Sequence, residues 1–152
     1  MASGRTPPPG RGDYAVLRPI TTRWADNDVY GHVNNVVYYA FFDTVVNGYL
    51  VERGLLDIAG SATIGLVVET QCRYFAPISF PEPVTGGLRV EHMGRSSVRY
   101  GIAIFGGDAD TASAAGHFVH VYVDRETRRP VPLPDDLRAV LETLAVTPGG
   151  AG

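Results

Sequence analysis

At 152 residues, 45% of them hydrophobic, the chain can bury one real core and is too short for two sizeable domains. Its formal charge of −3, with no basic block and no basic stripe interleaved with aromatics, argues against nucleic acid as the main partner. A single cysteine, Cys72, excludes an internal disulfide and suits a reducing cytoplasm, the expected location.

Residues 1–12 are rich in Pro and Gly and lack the apolar core of a secretory signal, so they are expected to form a disordered arm. One domain is expected over residues 13–145, with a flexible tail over 146–152. Residues 14–24 (YAVLRPITTRW) read as a first strand, edged or interrupted at Pro19. An acidic loop then leads through Gly31 into a helix that closes at Arg53 and Gly54. That helix is apolar on most of its circumference, from Val36 through Phe41, Phe42 and Val46 to Val51, with a thin polar stripe at Asp43 and Asn47. Such a helix must be covered by protein on nearly all sides. The competing reading, a membrane span, is weak, because the run falls short of the ~20 residues a bilayer demands and carries an Asp and an Asn.

After a turn-rich connector, alternation from Ile64 to Phe75 sets Ile64, Leu66, Val68, Thr70, Cys72 and Tyr74 on one face of a long half-buried strand. Cys72 is then a packed thiol, not a nucleophile. A third strand, Val84 to Met93, has Val84, Leu88 and Val90 inward and is weakened or bulged at Gly86 and Gly87. The fourth, Val98 to Phe105, points Val98, Tyr100, Ile102 and Ile104 to one side, and the fifth runs from a small-residue stretch to Val123. A short amphipathic helix begins near Asp135 or Asp136. The order describes an α+β fold in which an antiparallel five-stranded sheet wraps one long helix.

Chemistry concentrates where the acidic loop meets the helix. Asn34 and Asn35 are favourable capping residues, and the helix start offers unpaired N–H groups and the positive end of a dipole. Asp28 lies just upstream, so a base or nucleophile and donors for a polarised carbonyl oxygen could share one site. On spacing alone, the preferred reading is that Asp28 only stabilises the turn and the helix dipole, since acidic turns before helices are common. Asp26 fits a hydrogen-bonded structural acid at the strand end. His32 fits a loop-shaping role, and Tyr30 and Val33 could line a pocket or simply pack.

The segment RWADNDVYGHVNN with its Tyr-rich helix, together with FVHVYVDRETRRPVPLPDDLR downstream, resembles hotdog-fold acyl-CoA thioesterases of the 4-hydroxybenzoyl-CoA thioesterase-like group, from about Tyr14 to Leu144. The resemblance implies the hotdog fold and hydrolysis of an acyl-CoA or acyl-carrier thioester. It implies Asp28 as the catalytic carboxylate and the backbone N–H near Asn35 as the oxyanion donor. Tyr30, Gly31, His32, Val33 and Asn34 would surround the substrate. It further implies a homodimer or a tetramer of paired dimers, with sites at subunit interfaces. The turn of Arg95, Ser96 and Ser97 could hold CoA phosphates through a cation and N–H groups, or be an ordinary hairpin; Arg73, Arg89, Arg99 and Arg125 are further cations. The HVNN run is closer to the broader acyl-CoA group than to the hydroxybenzoyl-specific enzymes.

No cofactor or metal is expected. His117 and His120 fall on opposite faces of a strand, and His92 stands apart. GGLRV and FGGD read as hairpin turns, not phosphate loops, and no Ser sits in a nucleophile elbow. Two other functions fit the same fold: a non-catalytic acyl-thioester binding module and a hydratase or dehydratase. The latter requires an Asp–His or His–Glu pair aimed at the acyl chain, which the sequence does not display.

Overall fold

Five segments form one antiparallel sheet: β1 (Val16–Ile20), β2 (Thr63–Tyr74), β3 (Val84–Met93), β4 (Ser97–Gly106) and β5 (Ala114–Asp124), in the spatial order β1-β3-β4-β5-β2. Helix α1 (Val37–Glu52) lies against one face, and the short α2 (Asp135–Glu142) follows β5. The computed structural model describes residues 7–145. The expected tail and residues 1–6 of the expected arm lie outside the described residues. The rest of that arm is docked: the Ala112 N–H donates to Pro9 O (2.8 Å), and the Arg11 side chain donates to the carbonyls of Ala109 (2.8 Å) and Gly107 (3.0 Å).

The core forms where period-2 and period-3.6 patterns meet. Val98, Tyr100, Ile102 and Ile104 of β4 and Phe42, Val45 and Val46 of α1 are essentially inaccessible to solvent. Each contributes roughly 1.5–3 kcal/mol on burial. Gly86 sits in mid-strand with regular pairing to Ile104, contrary to the bulge and the hairpin turn expected around Gly86 and Gly87. A side chain at Gly86 would collide with Val45, so the glycine lets α1 lie close on the sheet. The irregularity of β3 falls instead between Val90 and His92.

Two expectations change in detail. A bulge at Val68 breaks the alternation of β2, pairing Ile64 and Leu66 with Val123 and Val121, but Thr70 and Cys72 with Phe118 and Gly116. The extra residue sends the two halves of the expected face to opposite sides. The chain also covers α1 less completely than its composition demands: Val36, Tyr39 and Val51 are exposed. Strand β2 is likewise an open edge, with Leu66, Val67 and Val68 exposed. The other edge, β1, is five residues long and carries Pro19.

The end of α1 follows its sequence closely. Gly54 takes φ +74°, the Leu55 N–H donates to Leu50 O (2.8 Å) and the Gly54 N–H to Val51 O (3.0 Å). These are the two bonds of a Schellman cap. Among the described residues, no helix is long and apolar enough to cross a membrane.

Candidate active site

The acidic loop is fixed from both sides. Asp26, 2% exposed, accepts hydrogen bonds from the Arg23 N–H (2.7 Å) and guanidinium (2.9 and 3.2 Å), and its carbonyl takes the Asn34 N–H (2.9 Å). Its carboxylate is thus consumed in holding the turn. Across the loop, the Val33 N–H donates to Ile78 O (2.7 Å), the Ser79 hydroxyl to Gly31 O (2.9 Å), and the Phe80 N–H to Asn27 Oδ1 (3.0 Å).

Within this clamp Asp28 closes a tight turn. Its N–H donates to His32 O (2.9 Å), its carbonyl accepts from the Gly31 N–H (3.0 Å), and Oδ1 accepts from the Tyr30 N–H (2.9 Å). Gly31 takes φ +81°, a conformation that disfavours any residue with a Cβ. Among the described residues, Oδ2 of Asp28 has no hydrogen-bond partner.

The first turn of α1 is tightened, and most of its donors are used. Val37, Tyr38 and Tyr39 donate to the carbonyls of Asn34 (2.9 Å), Asn35 (3.4 Å) and Val36 (3.2 Å), and Asn34 Oδ1 caps the Val36 N–H (2.9 Å). Among the described residues, the Asn35 N–H is left without an acceptor. Asn35 itself lines a cleft of about 470 Å³ together with Asp28, His32, Val33, Tyr38, Tyr74, Phe75, Ala76 and Pro77. Asp28 and the helix-start residue Asn35 therefore line one concave surface.

The aromatic wall opposite is supplied by two elements. Tyr38 of α1 meets Tyr74 of β2 edge to face (5.1 Å between centroids), and the Tyr74 hydroxyl donates to Asn35 O (2.9 Å). Burial pushes the Tyr38 phenol up to about 12, so it stays protonated and is no base. Sequence reasoning missed Tyr74 and Phe75–Pro77 because they join the loop only through the sheet. The stop before Pro77 marked the end of a strand but not what that end faces.

The other anticipated residues separate. His32 and Val33 line the cleft, whereas Asn34 caps the helix and Tyr30, 82% exposed, lies outside the lining. The Arg95, Ser96 and Ser97 turn is at the far end of the sheet. Ser97 pairs with Val121, while the cleft end is marked by Ile104, Ala114 and Tyr74. Along β4 that is about 23 Å at roughly 3.3 Å per residue. Burial raises the Cys72 thiol to about 11, which leaves it unreactive.

On the outer face, Arg99 Nη2 donates to His117 Nδ1 (3.0 Å), which puts the ring proton on Nε2 toward Glu69 Oε2 (2.5 Å). Among the described residues, no three His, Cys, Asp or Glu side chains converge as a metal site would require.

A long helix wrapped by a five-stranded antiparallel sheet, with a carboxylate turn at the helix start, defines a hotdog thioesterase. The family model of the thioesterase-like superfamily matches residues 22–141, and the chain belongs to that superfamily. Its reaction class is thioester hydrolysis.

Among solved structures, the chain is similar to the PA5185 protein of Pseudomonas aeruginosa strain PAO1, with 56% identity and a TM-score of 0.90, covering 92% of this chain and 98% of that one. It is also similar to a thioesterase from Thermus thermophilus complexed with coenzyme A and Zn: 27% identity, TM-score 0.71, 87% and 95% covered. A 1,4-dihydroxy-2-naphthoyl-CoA thioesterase from Synechocystis shares the fold at 16% identity and a TM-score of 0.74, covering 82% of this chain and 93% of that one.

Proposed function

We propose that the protein hydrolyses an acyl-CoA or acyl-carrier thioester, with Asp28 and the Asn35 N–H as its catalytic groups. The observation that carries this reading is their shared cleft: Asp28 has an unpartnered Oδ2, and the Asn35 N–H has no acceptor among the described residues. With the carbonyl oxygen on the Asn35 N–H, the thioester carbon faces Asp28. The carboxylate then either takes a proton from an attacking water or attacks directly to form a mixed anhydride that water opens. In both routes the carbonyl oxygen gains negative charge at the positive end of α1, where a dipole and a donor stabilise it. The thiolate leaves and the acyl group ends as a carboxylate.

A homodimer completes this reading. Strand β2 is a twelve-residue open edge with exposed Leu66, Val67 and Val68, and the adjacent α1 exposes Val36 and Tyr39. Two such edges paired antiparallel about a two-fold axis bring the Thr63 end of each strand beside the Tyr74 end of the other. The Arg95–Ser97 turn of one copy then stands at the end of the joined sheet that holds the other copy's cleft, where its cation and N–H groups could meet CoA phosphates. The dimer would thereby join two groups that are far apart within one chain.

The test is thiol release from a panel of acyl-CoA thioesters, followed with a thiol-trapping dye. Turnover by the unaltered protein that falls at least about 10²-fold in Asp28→Asn supports the assignment. Saturable binding without thiol release by the unaltered protein would instead make it a binding module.

A further inference from the structure

A second cavity lies at the opposite end of α1 and shares no lining residue with the cleft at Asp28 and Asn35. It measures about 310 Å³, in the range of small-molecule sites, and is bounded by Asn47 and Leu50 of α1, Leu56, Gly65 of β2, Tyr122 of β5 and Leu137 of α2. Within one chain the two are far apart: Asn35 and Leu50 are separated by about 22 Å at roughly 1.5 Å per residue. Helix α1 runs antiparallel to β2, since Asn35 meets Tyr74 while Asn47 and Leu50 border one cavity with Gly65.

The dimer reverses that separation. A two-fold axis that pairs the β2 edges antiparallel stands perpendicular to the sheet and keeps both α1 helices on one face. The Thr63 end of one β2 then lies one strand spacing, about 4.8 Å, from the Tyr74 end of the other. Thr63 lines the second cavity and Tyr74 lines the cleft, so the cavity of one copy abuts the cleft of its partner. Gly65 pairs with Tyr122 and shares its face of the sheet. A Cβ at Gly65 would stand 3.0 Å from Tyr122 Cε1, and its absence leaves the wall nearest the joint bare.

The interior suits an apolar occupant. Leu50 and Leu137 are buried, and Leu56 packs on the same core. His120, also on the lining, adds no polar contact: both ring nitrogens are shut off from solvent, with no hydrogen-bond partner among the described residues. Burial lowers its pKa to about 4, so the ring is uncharged at neutral pH. The Asp136 carboxylate, at the same wall, opposes an acyl group that ends in a second negative charge.

We propose that this cavity receives, in the dimer, the acyl chain of the thioester held in the partner's cleft, and that the substrates are thioesters of uncharged, apolar acyl groups of medium length, typified by octanoyl. The proposal rests on the thioesterase reading and its dimer. With the carbonyl oxygen on the Asn35 N–H of one copy, the acyl chain passes over the joined β2 strands and ends among Leu50, Leu56 and Leu137 of the other. The CoA limb has a different place. Arg138 of α2 donates to Gly94 O (2.8 Å), beside the Arg95–Ser97 turn, whereas its neighbour Leu137 lines the cavity.

Thiol release from octanoyl-CoA and acetyl-CoA is compared first. The unaltered protein should favour octanoyl-CoA in kcat/KM by about tenfold or more, the discrimination that methylenes in an apolar pocket provide. Ala62→Trp, at an exposed lining position, and Leu56→Trp should each cut that preference by about tenfold or more. The decisive sample is a mixed dimer of one Asp28→Asn and one Ala62→Trp chain, co-expressed with two affinity tags. Each homodimer is poor on octanoyl-CoA. The mixed dimer keeps one site with both Asp28 and an open cavity, and should regain about half the parent rate per dimer. A mixed dimer as poor as both homodimers, a parent without the octanoyl preference, or filled variants that retain it would overturn the proposal. Failure of the thioesterase reading looks different: the unaltered protein releases thiol from neither substrate. Binding then decides the cavity. Octanoyl-CoA should bind about tenfold or more tightly than CoA alone, an advantage that Ala62→Trp erases. Equal binding of the two by the unaltered protein would overturn the proposal.

Discussion

The two ends of α1 differ in one respect that matters for function. At the C-terminal end the Gly54 and Leu55 N–H groups satisfy two terminal carbonyls. At the N-terminal end the cap stops short: among the described residues the Asn35 N–H has no acceptor, and Asn35 lines a cleft with Asp28. Helix termini always leave backbone groups to be partnered. The difference teaches that one end is closed by the chain itself, while the other leaves a backbone donor without a partner among the described residues, the property on which the proposed chemistry rests.

The sharpest way to break that contrast is to neutralise the carboxylate. Asp28→Asn keeps a side-chain oxygen for the Tyr30 N–H and should unfold within a few degrees of the parent by calorimetry. Its thiol release should fall by about 10²-fold or more. Unchanged turnover would remove Asp28 from the chemistry.

Next in size is loss of the donor. Asn35→Pro deletes the N–H at the helix start, where proline is well tolerated, and kcat is expected to drop by about 10²–10³-fold. Asn35→Ala, which keeps the N–H, should stay within a few-fold of the parent. Equal behaviour of the two variants would show that the backbone donor does nothing.

Beyond the helix start, the open edge of β2 can be challenged with Val68→Lys, since a lysine at an exposed edge opposes strand pairing. Sedimentation should report a shift from dimer to monomer, with turnover falling alongside. A variant that stays dimeric at full activity would place the interface elsewhere.

The cavity at the closed end carries a pH signature. His120 has a folded pKa of about 4, below its ordinary 6.5, so protonation favours the unfolded chain. The neutral form's advantage is fully present above pH 6.5 and is lost as pH falls toward 4, on the order of a few kcal/mol. Denaturant titrations of the parent and His120→Phe should therefore diverge across that window. Parallel curves would mean the imidazole is not held neutral.

The smallest effect belongs to the closed cap. Gly54→Ala forces a Cβ into the left-handed region at a cost of about 1 kcal/mol, or roughly 2–4 °C in Tm. Catalysis should be untouched.

Much of this was legible before the chain was folded, because local rules acted alone. The helix and its glycine stop, the capping asparagine, the Pro-bearing edge strand and the acidic turn each depend on a few neighbouring residues. Resemblance then pointed to Asp28 and Asn35, which the structure brings to one cleft. The alternation of β2 misled where a single bulged residue, Val68, reversed the faces. Gly86 looked like a weakness because the sequence does not reveal that Val45 presses on it.

The sequence by itself determined the elements, the order in which they wrap one helix, and the residue types at the reactive end. Propensity, periodicity and capping operate over a turn or a strand. Only the tertiary structure decided that Tyr38 and Tyr74 meet edge to face in one wall of the cleft, that Arg95–Ser97 sits at the other end of the sheet, and that His120 is buried with no hydrogen-bond partner among the described residues. Those relations join residues far apart in the chain, and the sheet's register, not any local pattern, sets which of them meet.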